Sequence, residues 1–374
     1  MKINRSWTIL LTFLLLVSCS KKDEILNPEL ETRSYLLGYT PFPYAISNEA
    51  VAFSYEKITQ ETDIVSQHFD DGIPWNEALK DTDFHPNIMA DWQFRKTNTP
   101  INHKIFLTVT PVNFLRTGLS SYRNAESNLP LPEPWDTIKF NHADVKTAFY
   151  NFCKRIIDYF DPHYFAMGIE VNLLMANNKD LWDEYFDLHK TVYLKLKHDY
   201  PQLPIFVTQT GMDLIGGFTN PNHADQVTAF NQIMNYSDYL ALSSHVFLTS
   251  LLADSIPDHI FDEMFTLSSK PLCISETSYP AESFSVYGGT ITINGSQEKQ
   301  KLFFSKLFDK AQKYNCRFII NFVIRDYDQL WQEIGSPDDV YKLWKDTGIY
   351  DGDGNARIIK NLWLEKLKLT LKSD

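Results

Sequence analysis

The chain has 374 residues, 44% of them hydrophobic and 14% aromatic, and a net charge of −12. That length is ample for a large core. Acids outnumber bases 47 to 35 with no cluster of Lys and Arg, which argues against nucleic acid as a partner, because phosphate neutralisation dominates such affinity.

In chain order, Lys2 and Arg5 precede an apolar run over 7–17, and Leu16-Val17-Ser18-Cys19 follows, then Ser20-Lys21-Lys22-Asp23-Glu24. A charged head and a short apolar core describe an export signal rather than a spanning helix. The tetrapeptide resembles the lipobox of bacterial lipoproteins, and the polar tail resembles the export signal of lipoproteins in the Bacteroidetes group. The resemblance implies a signal peptide over 1–18 and a lipid on Cys19. It also implies an anchored protein of the cell envelope, displayed on the outer membrane surface. Residues 19–33, polar and holding Pro28, read as a tether. Residues 34–374 read as one domain. Cys153, Cys273 and Cys316 are too few for a disulfide framework and sit in apolar settings, which suits buried thiols. A bridge between one pair stays open.

From residue 34 the pattern alternates. Strand candidates lie at 34–39, 63–68, 104–110, 164–171, 204–209, 239–245, 271–276 and 317–324. Helix candidates lie at 50–60, 88–97, 144–159, 180–199, 224–234, 257–267, 297–314 and 355–371. Runs such as Ile105-Phe106-Leu107-Thr108-Val109 and Phe318-Ile319-Ile320 suit parallel strands buried on both faces. Eight such units predict a (β/α)8 barrel. An open doubly wound sheet is the competing fold. The first strand, however, leads into Gly38-Tyr39-Thr40-Pro41-Phe42-Pro43, too stiff and bulky to cradle a pyrophosphate. The longest irregular stretch, 111–141, follows the third strand, with Tyr122, Trp135 and the prolines Pro130, Pro132 and Pro134, and reads as a semi-rigid cleft wall on the catalytic face.

Two glutamates end apolar strands, in Gly168-Ile169-Glu170-Val171-Asn172 and in Ile274-Ser275-Glu276-Thr277-Ser278-Tyr279-Pro280. A carboxylate there is expensive to bury unpaired. The fourth and seventh strands of a barrel stand nearly opposite, so the two glutamates face each other across its mouth. Glycoside hydrolysis needs one protonated and one ionised carboxyl, about 5–5.5 Å apart for retention of configuration.

On these residues the chain resembles glycoside hydrolase clan A, and nearest within it the endo-galactanases and cellulase-like enzymes. The resemblance implies Glu170 as acid/base and Glu276 as nucleophile of a retaining O-glycosyl hydrolase that needs no cofactor. It implies His245, in Ser243-Ser244-His245, as the partner of Glu276. Trp331 corresponds to the aromatic that floors the reactive subsite. One departure is that Ile169 stands where many members carry an Asn that binds the sugar 2-hydroxyl. This favours a second reading, an inactive carbohydrate-binding surface lipoprotein.

Other residues placed by strand position on the cleft as sugar contacts are Tyr39, Asp70, Trp75, Asn172, Gln209 and Tyr279. Asn172 points elsewhere along the strand than the missing Asn. His68 and Asp70 lack further ligands at metal-binding spacing, so no metal site is expected. Ser275 has no Gly-x-Ser-x-Gly elbow around it.

Overall fold

The computed structural model describes residues 31–216, 223–248 and 256–372. The expected signal peptide and Cys19 lie outside the described residues. Eight parallel strands form the barrel: β1 (Leu36–Tyr39), β2 (Ile64–Phe69), β3 (Lys104–Val109), β4 (Tyr164–Ala166), β5 (Ile205–Phe206 and Thr208–Thr210), β6 (Leu240–Ser244), β7 (Leu272–Thr277) and β8 (Phe318–Asn321). β5 is broken at Val207. Its first half pairs with β4 and its second half with β6, and this split strand closes the ladder that runs through β8 and β1. The expected (β/α)8 fold is therefore the observed one.

Among the described residues the eight longest helices cover the outside: α1 (Asn48–Glu61), α2 (Pro86–Asn98), α3 (Ala143–Phe160), α4 (Trp182–Asp199), α5 (His223–Ile233), α6 (Asp258–Phe265), α7 (Gln297–Lys313) and α8 (Ile359–Leu367). Their starts are written in the sequence. Ser47 accepts the Ala50 N–H at 3.1 Å to cap α1, and Ser296 accepts the Lys299 N–H at 3.2 Å to cap α7. α3 buries Val145, Ala148, Phe149, Phe152, Ile156 and Phe160, a stripe of helical period that lies on the sheet. α8 is shorter than its expected 355–371, because Asn355 is taken by a turn, its N–H donating to Asp351 Oδ1 at 2.7 Å. Thr370–Leu371 then pairs with Thr32–Arg33 and ties the two ends of the domain together.

Inside the barrel each strand contributes to one apolar layer: Ile64, Phe106, Ala166, Phe206, Ala241, Cys273, Phe318 and Ile320. Large and small side chains interleave, as packing at crystal-like density requires. β1 supplies Gly38, where a Cβ would meet Ile64 O at 2.5 Å and Ile320 Cδ1 at 2.6 Å. Toward the carboxyl ends of the strands this layer gives way to hydroxyls, Thr108, Thr208, Ser243 and Ser275, and then to the charged mouth. Cys153, Cys273 and Cys316 are buried free thiols, so no bridge joins them. Among the described residues, no helix is long and apolar enough to cross a membrane.

Candidate active site

Strand alternation alone would not bring both glutamates into the mouth. In β7, Cys273 faces inward and Ile274 outward, so Ser275 faces in and Glu276 should face out. The β6–β7 register slips at this point, from Leu242↔Ile274 to Ser243↔Glu276. This bulge lets Ser275 and Glu276 both line the pit at the mouth. On the other side, β4 ends at Ala166, and Glu170 takes a left-handed backbone with φ 48. That conformation is uncommon for a residue with a Cβ. The turn is held by the Glu170 N–H donating to Thr208 Oγ1 at 2.9 Å and the Val171 N–H to Thr208 O at 3.1 Å.

The two carboxyls have different surroundings. Glu276 Oε1 lies 3.0 Å from His245 Nε2, and His245 Nδ1 lies 3.1 Å from Ser278 Oγ. Burial pushes Glu276 up, but the His245 hydrogen bond and the pull of His245, His68 and Arg116 outweigh it, and its carboxyl is held below the ordinary value. Glu170 goes the other way. Burial and the nearby Glu276 charge raise it, against the pull of Arg116 and His245 and a hydrogen bond with Ser243. One carboxyl is thus biased to the protonated form and the other to the ionised form, the division of labour of a general acid and a nucleophile. His68, on β2, lines the pit and is pushed down by burial, against Glu276 and Asp70.

The structure brings Glu170, Glu276, His245 and Asp70 to one mouth; Asp70 Oδ2 accepts from Arg116 Nη2 at 2.9 Å. It places the other expected contacts elsewhere. Trp75 is fully buried, stacked on Trp135 with ring centroids 5.3 Å apart, its indole N–H donating to Ser120 O at 2.9 Å. It is core, and Trp135 packs behind the wall it was expected to form. Tyr39 is on the outward face of β1, stacked on Trp363 at 4.9 Å. Gln209 is outward on β5, against Met234 of the helical shell. Tyr279 is buried and stacked on Phe303 at 5.2 Å. Asn172 is a buried clamp. Its Nδ2 donates to Thr210 Oγ1 at 2.7 Å and Gln226 Oε1 at 3.0 Å, and its Oδ1 accepts the Thr210 N–H at 2.9 Å. Trp331 lies on the short helix Asp328–Glu333, with Lys342 Nζ 5.9 Å from its ring, and is not among the residues that line the pit.

Beside His245 stands another tryptophan, Trp344, from the two-turn 3₁₀ helix Asp339–Trp344. It meets His245 edge-on at 4.5 Å and Phe322 at 5.4 Å. Nothing in the sequence marks it, since it lies more than twenty residues past β8. Arg116 was likewise missed. Tyr327 is half-buried, and its hydroxyl is pushed up by desolvation and by Glu276. It also lines a neighbouring groove of about 650 Å³, mostly apolar, with Phe42, Ile46, Val51 and Leu330. Phe42 joins groove to pit, since its ring meets His68 at 5.7 Å. Among the described residues, Glu282, Asp326 and Asp346 are close enough to share a cation. Two cations of the chain already serve them: Arg357 Nη2 contacts Asp326 and, at 2.7 Å, Glu282, while Lys345 Nζ is 2.7 Å from Asp346.

No protein-family model matches the chain, and no curated protein sequence does. Solved structures do match. A GH5_18 protein from Bifidobacterium longum in complex with Manβ1-4GlcNAc superposes with a TM-score of 0.62 at 13% identity, over 91% of this chain and 80% of that one. The fold is that of glycoside hydrolase barrels. A structure of fungal β-1,4-galactanases matches with a TM-score of 0.56 at 11% identity, over 88% of this chain and 99% of that one. An exo-β-1,4-mannosidase from an Opitutaceae bacterium matches at 0.58 and 10% identity, over 90% of this chain, which spans 60% of that longer one. At such identity these glycosidase barrels establish the shared architecture, and the chemistry is argued from the residues.

Proposed function

We propose that the protein is a retaining O-glycosyl hydrolase acting on a polysaccharide or oligosaccharide. The observation that carries the reading is the pair Glu170 and Glu276, shifted in opposite directions at one mouth. Glu276, ionised and oriented by His245, attacks the anomeric carbon. Glu170 passes its proton to the glycosidic oxygen as that bond breaks. A glycosyl-enzyme on Glu276 results. Glu170, now a carboxylate, takes a proton from water, which opens the intermediate with overall retention. Trp344 and the groove beside Tyr327 offer surfaces for the sugar units around the cleaved bond. The carbohydrate-bound barrel among the structural neighbours supports this class of ligand. As part of the same reading, Cys19 carries a lipid that holds the enzyme on the outer membrane surface, where polymers too large to import are met.

The experiment is hydrolysis of a panel of plant and host polysaccharides by the protein without residues 1–20, beside Glu170→Gln and Glu276→Gln. Cleavage of one glycan, lost in both variants, and an anomeric product of unchanged configuration are expected. Ile169, which lines the pit in place of a polar side chain, favours a second reading, a sugar-binding barrel without turnover. Binding of a glycan by the wild type with no cleavage anywhere in the panel would decide for it.

A further inference from the structure

Arg116 occupies a costly position. It adopts a left-handed backbone, φ 55, in the loop after β3, and its side chain is 6% exposed. The loop is pinned on both sides. The Asn113 N–H donates to Gly118 O at 2.9 Å, and Asn113 Oδ1 accepts the Thr117 N–H at 2.9 Å. The guanidinium is thereby held in the mouth. Nη1 donates to Asn113 O at 2.9 Å, and Nη2 donates to Asp70 Oδ2 at 2.9 Å and stands 4.0 Å from Glu170 Oε2. Nε is buried, with no hydrogen-bond partner among the described residues. Nε and Nη2 share one edge of the guanidinium, the edge that grips a carboxylate in a two-pronged pair. A gap of 4.0 Å is too long for a hydrogen bond. Glu170 therefore stands just off a half-used fork.

We propose that this half-used edge receives the carboxylate formed when Glu170 gives up its proton, which makes Arg116 a positioning residue that strengthens the acid as the leaving group departs. The inference rests on the two-glutamate reading. In the step, the bond from C1 to the leaving oxygen breaks and its electron pair takes the Glu170 proton. The Glu276 carboxylate forms the new bond to C1. Glu170 is left anionic and closes on Nε and Nη2, while Arg116 keeps its charge and its protons. The other groups around Glu170 are Glu276 on β7, which favours the proton, and Ser243 on β6 and His245 just past it, which oppose it. From β2, Asp70 partly neutralises Arg116, so the resting acid keeps its proton, and His68 faces both of them and Glu276.

The test compares Arg116→Met and Arg116→Lys with the wild type on two glycosides of the sugar released in the polysaccharide panel. One carries a 2,4-dinitrophenyl group, which departs without protonation, and the other an alkyl group, which does not. For Arg116→Met, kcat/KM should fall at least about 10-fold on the alkyl glycoside and less than about 3-fold on the dinitrophenyl one. The alkaline limb of its pH profile should move to higher pH, since the cation that opposes Glu170's proton is gone. Arg116→Lys, which keeps the charge without the fork, should show the same dependence on leaving group with a smaller displacement of the limb. It decides the matter if the Met variant does not fold. Equal losses on both glycosides, or an alkaline limb that stays put in Arg116→Met, would overturn the inference. A wild type that cleaves neither glycoside instead brings down the two-glutamate reading, and this inference with it.

Discussion

Trp75 gives the sharpest separation between a sugar contact and a core residue. Its ring is 0% exposed, stacked on Trp135 with an interplanar angle of 25°, and bonded through its indole N–H to Ser120 O. Truncating such a residue to Ala removes the apolar burial and leaves a cavity, together about 3–5 kcal/mol. Stacking on Trp135 adds roughly 0.5–1.5 kcal/mol that burial alone does not count. For a chain of this size each kcal/mol is about 1.3 °C of melting temperature. Trp75→Ala should therefore melt at least about 4 °C below the wild type. Trp75→Phe keeps most of the volume but leaves the Ser120 carbonyl without its donor, and should fall between the two. At a temperature where all three are folded, KM should be unchanged. Thermal melts followed by circular dichroism, beside steady-state kinetics on the cleaved glycan, measure both quantities. A raised KM at unchanged melting temperature would refute the reasoning and return Trp75 to the cleft.

The pH profile of kcat/KM should be a bell. Its acid limb belongs to Glu276, whose folded value lies below the ordinary 4.5, and its alkaline limb to Glu170, whose value lies above it. Activity is then lost as pH falls through the first and as it rises through the second, with both limbs belonging to the coupled pair. A profile flat from about pH 5 to 9 would remove the acid from the mechanism. In the loop that follows β8, Arg357→Met strands Asp326, whose side chain is 0% exposed, and should cost about 3–5 kcal/mol in denaturant unfolding. Adding Asp326→Asn should recover part of it. A loss under about 1 kcal/mol, typical of a surface pair, would show the network to be incidental.

The barrel was legible because strands buried on both faces leave continuous apolar runs, and several of the eight, such as Ile105 to Val109 and Phe318 to Ile320, survive in the sequence as such. The two glutamates were legible for the complementary reason: a carboxylate at the end of such a run has no structural excuse. What strand position could not supply was direction. It gives a residue's height in the barrel and says nothing of the side it faces. Tyr39 and Gln209 sit at the right height but alternate outward, one position past the inward Gly38 and Thr208. Trp75 and Tyr279 lie in loops after strands, and aromatics there pack as readily as they line a cleft. Arg116 and Trp344 come from irregular segments. Their arrival at the mouth depends on long-range contacts, with Asp70 and with His245, that no local pattern encodes.

Both carboxyls reach the mouth through a break in strand regularity, and the break at Glu170 explains why Asn172, expected to touch sugar, is found elsewhere. A left-handed residue with a Cβ costs roughly 1–2 kcal/mol, so Glu170 keeps its conformation only if its neighbours fix it. Thr208 does so from β5, through its hydroxyl to the Glu170 N–H and its carbonyl to the Val171 N–H. Asn172 then locks the following turn to Thr210 and Gln226. Each such bond contributes about 0.5–1.5 kcal/mol net, enough together to offset the strain. Asn172 therefore holds the turn that carries Glu170. Its amide is spent on that turn, and Ile169 lines the pit in its stead. Polar contact at that corner falls to groups from β2 and the loop after β3, Asp70 and Arg116, already joined at 2.9 Å beside the acid.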